Sequence, residues 1–435
     1  MVKVMFYKET NFKETPIGKI PRDWKIMRLE NIGKIVNGFG FPIEYQGKKA
    51  EKYIFVKVSD TNLPKNEKYI FTAENTIDDD TAKKLKARIY PAGTIIFPKI
   101  GMVIYLRKVR ILAKAGTFDN NIMGIIPDEK LVGREFLYYY FLERINLTEL
   151  AGRTTAPSIR KSEVEKLKIS LPPLPEQHKI AEVLSTVDEA IRRTGEVIAK
   201  TERLKKGLMQ TLLTRGIGHK EFKDTEIGRI PKEWEVVRLG SVAEFKNGIN
   251  FIKEQKGDKG ILTVDVLNMY GKSIYLDFTN LYRVNTTLKD ISEYLLEKGD
   301  ILFVRSSLKR EGVGWVSLFD GWNEPVTFCG FIIRARLKTT TILPEFLTHF
   351  LRSDFARNRL IASSGQVAIT NVTQELLKIL RVPLPPLEEQ RKITEILSSV
   401  DKKLEVERNE KTKLERIKQG LMDLLLTGKI RVKVN

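Results

Sequence analysis

The sequence predicts an α+β chain built as an internal twofold repeat, with two globular parts joined by two long helices. Two observations carry that expectation. Several segments recur in the same order at a nearly constant offset, and an apolar stripe at helical spacing follows each of two Pro-Pro turns.

The first anchor of the repeat is short. Residues 17–24 read IGKIPRDW and residues 227–234 read IGRIPKEW, an offset of 210. The match continues through Leu29 and Leu239 to the pairs Asn37-Gly38 and Asn247-Gly248. The second anchor is longer. LPPLPEQHKIAEVLSTVDEAI (171–191) and LPPLEEQRKITEILSSVDKKL (384–404) share 13 of 21 residues at an offset of 213. The same offset pairs LKKGLMQTLLT (204–214) with IKQGLMDLLLT (417–427). Between the anchors the similarity thins. GTIIFPK (93–99) lies against GDILFVR (299–305), FLYYYFL (136–142) against FLTHFLR (346–352), and Ile159 against Val372. Each copy thus has a diverged first part and a preserved second part, which implies one architecture with two different contact surfaces.

The long helices follow from spacing. Pro-rich turns stop the chain at Pro172-Pro173 and Pro385-Pro386. Then Ile180, Leu184, Val187, Ile191, Thr194 and Ile198 recur every three or four residues, and Leu204, Leu208 and Leu212 extend the stripe after a change of phase. Ile393, Leu397, Val400, Leu404, Leu414, Ile417, Leu421 and Leu424 do the same in the second copy. About 35 residues at 1.5 Å each give roughly 50 Å, longer than a small domain. Either each helix packs on the surface of its own domain, or the two helices pack on each other, each supplying an apolar stripe of matching length; an antiparallel pair would place the two globular domains at opposite ends. Gly207 and Gly420 interrupt them at about 1 kcal/mol each relative to Ala, a cost that close backbone approach or a phase adjustment would explain. Glu176 and Glu389 fall in the first turn, where the helix dipole favours them.

These signals divide the chain into a first globular domain (1–175), a first long helix (176–215), a second globular domain (216–385), a second long helix (386–425) and a tail (426–435). Short β-branched and aromatic runs predict strands at YIFVKVSD (53–60), TIIFPKI (94–100), MVIYLRKV (102–109), NIMGIIP (121–127), GILTVDVLNM (260–269), DILFVRSS (300–307) and TFCGFIIRARL (327–337). Short helices are expected at 134–145, 344–358 and 373–379.

Composition narrows the function. The 435 residues carry 75 Lys and Arg against 55 Asp and Glu, a formal charge of +20, which favours a polyanionic partner and nucleic acid first. No apolar run approaches the roughly 20 residues that span a bilayer, and the first residues lack a signal-peptide core, so no membrane partner is expected. Cys329 is the one cysteine, so there is no intrachain disulfide and no cysteine metal site; a reducing, cytoplasmic setting fits. His178, His219 and His349 are not spaced as metal ligands. No phosphate-binding or dinucleotide glycine loop is present, and Gly312-Val313-Gly314 reads as a turn. LPPLPEQ superficially resembles the proline-bearing loop of amino-methyltransferases, but it lacks the flanking residues and reads better as a helix start. Asp78-Asp79-Asp80 reads as a solvated loop. No metal site, no catalytic residue and no cofactor bound by this chain are expected.

The basic residues are more suggestive. Lys99, Arg107, Lys108, Arg110 and Lys114 crowd one region, and Arg153, Thr154, Arg160 and Lys161 lie in or beside GRTTAPSIRK. In the second copy Arg305, Lys309 and Arg310 occupy VRSSLKRE, while Gln366 and Asn371 lie in SSGQVAITN. Lys and Arg meet phosphates, whereas Arg, Gln, Asn and Thr also read base edges, so these residues form a candidate DNA-binding set. Asn120 and Asn121 are further candidates whose alternative role is to cap a turn.

The two LPPL-x-EQ segments, the helix ends LMQTLLTRG (208–216) and LMDLLLTGK (421–429), and the two openings ending in Trp24 and Trp234 together resemble the specificity subunit of type I restriction–modification enzymes. The resemblance covers essentially the whole chain. It implies two target-recognition domains, each reading half of a split double-stranded DNA site, and an antiparallel coiled coil that sets their spacing. Ile180, Leu184, Val187 and Ile191 would then face Ile393, Leu397, Val400 and Leu404 in its seam. The implied partners are two methyltransferase subunits and the restriction/translocase subunits. S-adenosylmethionine, ATP and Mg²⁺ would be bound by those partners, where the chemistry resides.

Overall fold

In a computed structural model the chain divides into two compact units, and neither is a domain with its own helix appended. The first comprises residues up to 194 together with those from 410 onward; the second is 195–409. Residues 5–152, 157–307, 310–363 and 370–433 are described. The long helices run Leu174–Arg215 and Leu387–Leu426, so each unit takes the start of one helix and the end of the other.

In the first unit, continuous apolar runs form strands buried on both faces. A five-stranded sheet has the order Gly33–Asn37, Ile122–Pro127, Ile95–Pro98, Arg110–Leu112 and Tyr69–Ile70. All its pairs are antiparallel except the last. A three-stranded sheet joins Gly116–Phe118, Tyr53–Val56 and Asn75–Ile77. The helix Arg134–Arg144 buries Phe136, Tyr139 and Phe141 in the same core as Trp24, Phe97 and Ile125. Ile180 and Leu184 of the first long helix enter this core, as do Met422, Leu425 and Leu426 of the second. Phe6–Lys8 pairs antiparallel with Ile430–Val432 in a separate two-stranded sheet.

The second unit repeats the plan. Ala243–Asn247, Ile332–Leu337, Ile301–Val304 and Val316–Leu318 form an antiparallel sheet. Trp234, Phe303 and Phe346 share a core with Leu212 and Leu213 from the first long helix and Ile393 and Leu397 from the second.

Within each unit the helix segments run antiparallel. Lys418 pairs with Asp188 at 2.6 Å in the first unit. In the second, Arg408 meets Glu202 at 2.6 Å and Lys205 meets Asp401, so numbering rises on one helix as it falls on the other. Ile180 and Leu184 belong to one core and Ile393 and Leu397 to the other, because antiparallel pairing sets the start of each helix against the end of its partner. Leu404 is buried, and Val187, Ile191 and Val400 are half-buried. Leu204 and Ile417, counted in the stripe, are exposed. Gly207 and Gly420 are exposed too, with open space where a Cβ would sit, so neither marks a close approach.

Three local expectations need correcting. MVIYLRKV is not a strand: Met102–Leu106 is a 3₁₀ turn opened by Gly101 (φ +82°) and closed by Arg107 (φ +47°). Only Ile104 of this turn is buried, so one inward anchor replaces the alternation a strand would need. The helix expected at 344–358 is two, Pro344–Arg352 and Asp354–Ser363, broken at an extended Ser353 whose hydroxyl donates to the Phe350 carbonyl at 2.6 Å. Asp78 is not in a plain loop. Its Oδ1 accepts from the Thr81 N–H at 2.7 Å and caps the helix Asp79–Lys84.

Candidate nucleic-acid interface

Lys99 and Arg305 occupy the same place in the two copies. Lys99 N–H donates to the Asn121 carbonyl at 2.8 Å, and its own carbonyl accepts from Ile159 at 2.8 Å. Arg305 N–H donates to the Phe331 carbonyl at 2.8 Å, and its carbonyl accepts from Val372 at 2.9 Å. Both cations thus leave a strand end on one backbone frame.

The repeated Asn-Gly pairs sit beside this frame. A Cβ on Gly38 would collide with the carbonyl oxygens of Phe118 and Asp119, and one on Gly248 with those of Phe328 and Cys329. Only glycine lets the strands approach so closely. Each neighbouring Asn then holds a polar side chain: Asn37 Oδ1 accepts from Lys99 Nζ at 2.9 Å, and Asn247 Oδ1 from Gln374 Nε2 at 3.1 Å. Burial lowers the Lys99 ammonium below the ordinary lysine value, partly offset by the charge of Asp119. Burial likewise raises the Asp119 carboxyl, opposed by hydrogen bonds from Asn121.

Near Lys99 lies a cleft of about 260 Å³ that sequence spacing does not reveal. Lys34, Asn37, Lys86, Arg88, Tyr90 and Lys161 line it. Its four cations come from three stretches far apart in the chain, a strand (Lys34), the segment after a short helix (Lys86, Arg88) and another short helix (Lys161), which the fold brings together. Lys34, Lys86, Arg88 and Lys161 are all exposed, as a surface that meets phosphates requires.

The sequence-expected residues fare unequally. Arg107 is exposed and Lys108 half-buried beside the 3₁₀ turn. Arg110 is a correction. Its guanidinium donates to the carbonyls of Val109 (2.8 Å) and Thr61 (3.1 Å), its Nε is buried, and desolvation lowers its pKa. It ties two loops together instead of facing a ligand. Asn121 is a turn residue, its N–H donating to Asp119 Oδ1 at 2.9 Å, while Asn120 is exposed. Arg160 is exposed at the start of the helix Lys161–Glu165, its N–H donating to Glu163 Oε2 at 3.1 Å. In the second unit the Arg305 guanidinium donates to the Gly330 carbonyl at 3.4 Å, and exposed Asn371 accepts from the Ser306 hydroxyl. Arg153, Thr154, Lys309 and Gln366 lie outside the described residues, as does the side chain of Arg310.

The best-preserved motif proves to be a joint. Gln177 Nε2 donates to the carbonyls of Pro172 (2.9 Å) and Leu131 (3.2 Å), and its Oε1 accepts from Gly133 N–H at 2.9 Å. Gln390 repeats this with Pro385 (2.8 Å), Thr341 (2.9 Å) and Leu343 N–H (2.8 Å). Each Gln clamps its long helix to the loop before the aromatic helix. The neighbouring carboxylates also bind locally: Glu176 takes Arg431, and Glu389 takes His219 Nε2 and Trp234 Nε1. His349 is fully buried and His178 exposed. Among the described residues no group of three or more His, Cys, Asp or Glu is placed to hold a metal ion, and no helix is long and apolar enough to cross a membrane.

A duplicated scaffold, with a cationic cleft in its first unit, narrows the class of protein, and comparison with known proteins names it. The chain belongs to the family of type I restriction modification DNA specificity domains, whose model matches it twice, at residues 21–203 and 231–416. It is 30% identical over 445 residues to the type I restriction enzyme MjaVIII specificity subunit of Methanocaldococcus jannaschii, covering 100% of this chain and 99% of that protein. The putative MjaX specificity subunit of the same organism is 29% identical over 449 residues, across the full length of both. The solved S subunit of a type I restriction-modification system from M. genitalium has the same fold, with a TM-score of 0.56 at 18% identity over 94% of this chain and 98% of that one.

Proposed function

We propose that this chain gives a type I restriction–modification complex its DNA sequence specificity, each unit reading one half of a bipartite site in double-stranded DNA. The observation that carries this reading is the shared frame of Lys99 and Arg305: equivalent backbone hydrogen bonds hold different, half-buried cations in the two copies. Two copies that agree in scaffold and differ in surface suit two unlike half-sites.

In this reading the long helices pair antiparallel as a coiled coil over their whole length and hold the spacing between the readers. The ion pairs within each unit support that direction. The chain itself is non-catalytic. Two methyltransferase subunits would bring S-adenosylmethionine, and restriction/translocase subunits would bring ATP and Mg²⁺.

The test is to map adenine methylation on DNA treated with the reconstituted complex. Two defined half-sites with a fixed spacer are expected. Methylation without sequence preference, or turnover by the pure chain alone, would overturn the reading.

A further inference from the structure

Single exposed apolar residues need no explanation, but several on one turn do. Ile100, Met102, Tyr105 and Leu106 are 39, 70, 36 and 63% exposed. They sit between Lys99 on one side and Arg107 and Lys108 on the other. The turn that carries them is firmly held. Ile104 is buried in the same core as Leu147 and Ala151. Gly101 N–H donates to the Pro157 carbonyl at 2.8 Å, and Ile100 bridges to Ser158. Left-handed Arg107 closes the turn, so the apolar side chains are presented on a fixed frame and not on a loose loop.

The second copy builds the corresponding stretch from other residues. Residues 100–106 read IGMVIYL, with six apolar side chains; residues 306–312 read SSLKREG, with one. Both stretches leave the frame set by Lys99 and Arg305.

Cations flanking an apolar tip fit a polyanion whose interior offers apolar groups. Duplex DNA has that chemistry in the major groove, where thymine presents its C5-methyl beyond the phosphates. We propose that Met102 and Leu106 read thymine methyl groups in the half-site of the first unit, while Lys99 and Arg107 hold the neighbouring phosphates. The proposal rests on the DNA-reading function above and specifies its chemistry. It makes the half-site of the first unit thymine-dependent.

The experiment uses the full-length chain with its methyltransferase partners and a duplex library of random sequence. Selected sites give both half-sites. Each thymine is then replaced by uracil, which lacks only the methyl group. At least one replacement in one half-site should weaken binding about three- to fourfold, as loss of one buried methyl predicts. The double variant Met102→Ser, Leu106→Ser should bind both duplexes alike and keep its low-salt, sequence-independent affinity. Both positions are exposed, so its melting temperature should match the parent. Four results overturn the inference: selected half-sites without thymine, selective binding indifferent to uracil, a double variant that keeps its uracil sensitivity, or one that loses methyltransferase binding instead. Those results leave the DNA-reading function standing. Absence of any sequence selection by the parent complex removes both.

Discussion

Arg431 donates through Nε and Nη2 to both carboxylate oxygens of Glu176, at 2.6 and 2.7 Å, with the two side chains only 7 and 4% exposed. Asp23 and Glu9 also accept from it, and its charged form is correspondingly favoured against the cost of burial. Removing one member of a buried pair leaves the other uncompensated, at about 3–5 kcal/mol. Arg431→Ala should therefore lower the melting temperature of the first unit sharply, and adding Glu176→Gln should recover part of the loss. An unchanged melt for Arg431→Ala would show the pair to be dispensable.

His349 makes stability depend on pH. It is fully buried, and neither ring nitrogen has a hydrogen-bond partner. Burial, aided by the charges of Lys205 and Arg352, holds its pKa down at about 3. The unfolded chain takes up this proton near pH 6.5, and the folded chain does not. Stability from this group is thus complete above pH 6.5 and falls by about 1.4 kcal/mol for each unit below it, until the folded value is reached. Denaturant titrations between pH 7 and 5 should show that slope, and His349→Phe should flatten it.

Two arginines three residues apart should separate stability from binding. Arg110→Ala strips partners from the carbonyls of Val109 and Thr61 and should cost about 1–3 kcal/mol. Arg107→Ala should leave stability nearly unchanged, weaken DNA binding and reduce the salt slope by about one. The opposite pattern in paired melting and salt-titration experiments would refute both assignments.

Glycines divide in the same way. Gly38→Ala and Gly248→Ala force a Cβ into backbone carbonyls and should each destabilise by several kcal/mol, about the upper range for single substitutions. Gly207→Ala and Gly420→Ala meet open space in a helix and should each stabilise by about 1 kcal/mol. Thermal melts of the four variants compare the classes directly.

The twofold repeat, the long helices and most strands were legible because identity and periodicity are local signals. The first helix, at 42 residues, starts two residues earlier than expected, since a proline in the first turn is tolerated and Pro175 lies inside it, while the second has the expected 40. The site was less legible. Lys34, Lys86, Arg88 and Lys161 come from a strand, a turn segment and a helix and become neighbours only in the folded unit, which spacing cannot reveal. Arg110 and exposed Arg107 look alike in sequence, because burial is decided by loops that arrive from residue 61 onward. Met102–Leu106 has strand-like composition, but two left-handed residues close it into a turn. The Gln177 and Gln390 clamps could have been suspected from the repeat itself, since polar residues preserved beside Pro-Pro in both copies suggest a shared bond.

The division of the chain also orders its birth. Residues 195–409 form a continuous stretch that leaves the ribosome whole, whereas the first unit needs residues 410–433 to supply Met422, Leu425, Arg431 and the partner strand of Phe6–Lys8. At about 5–20 residues per second, the first-made unit waits on the order of ten to forty seconds with an apolar groove uncovered. The half made first is thus the half completed last, and a prematurely stopped chain would carry a finished second reader and an unfinished first one.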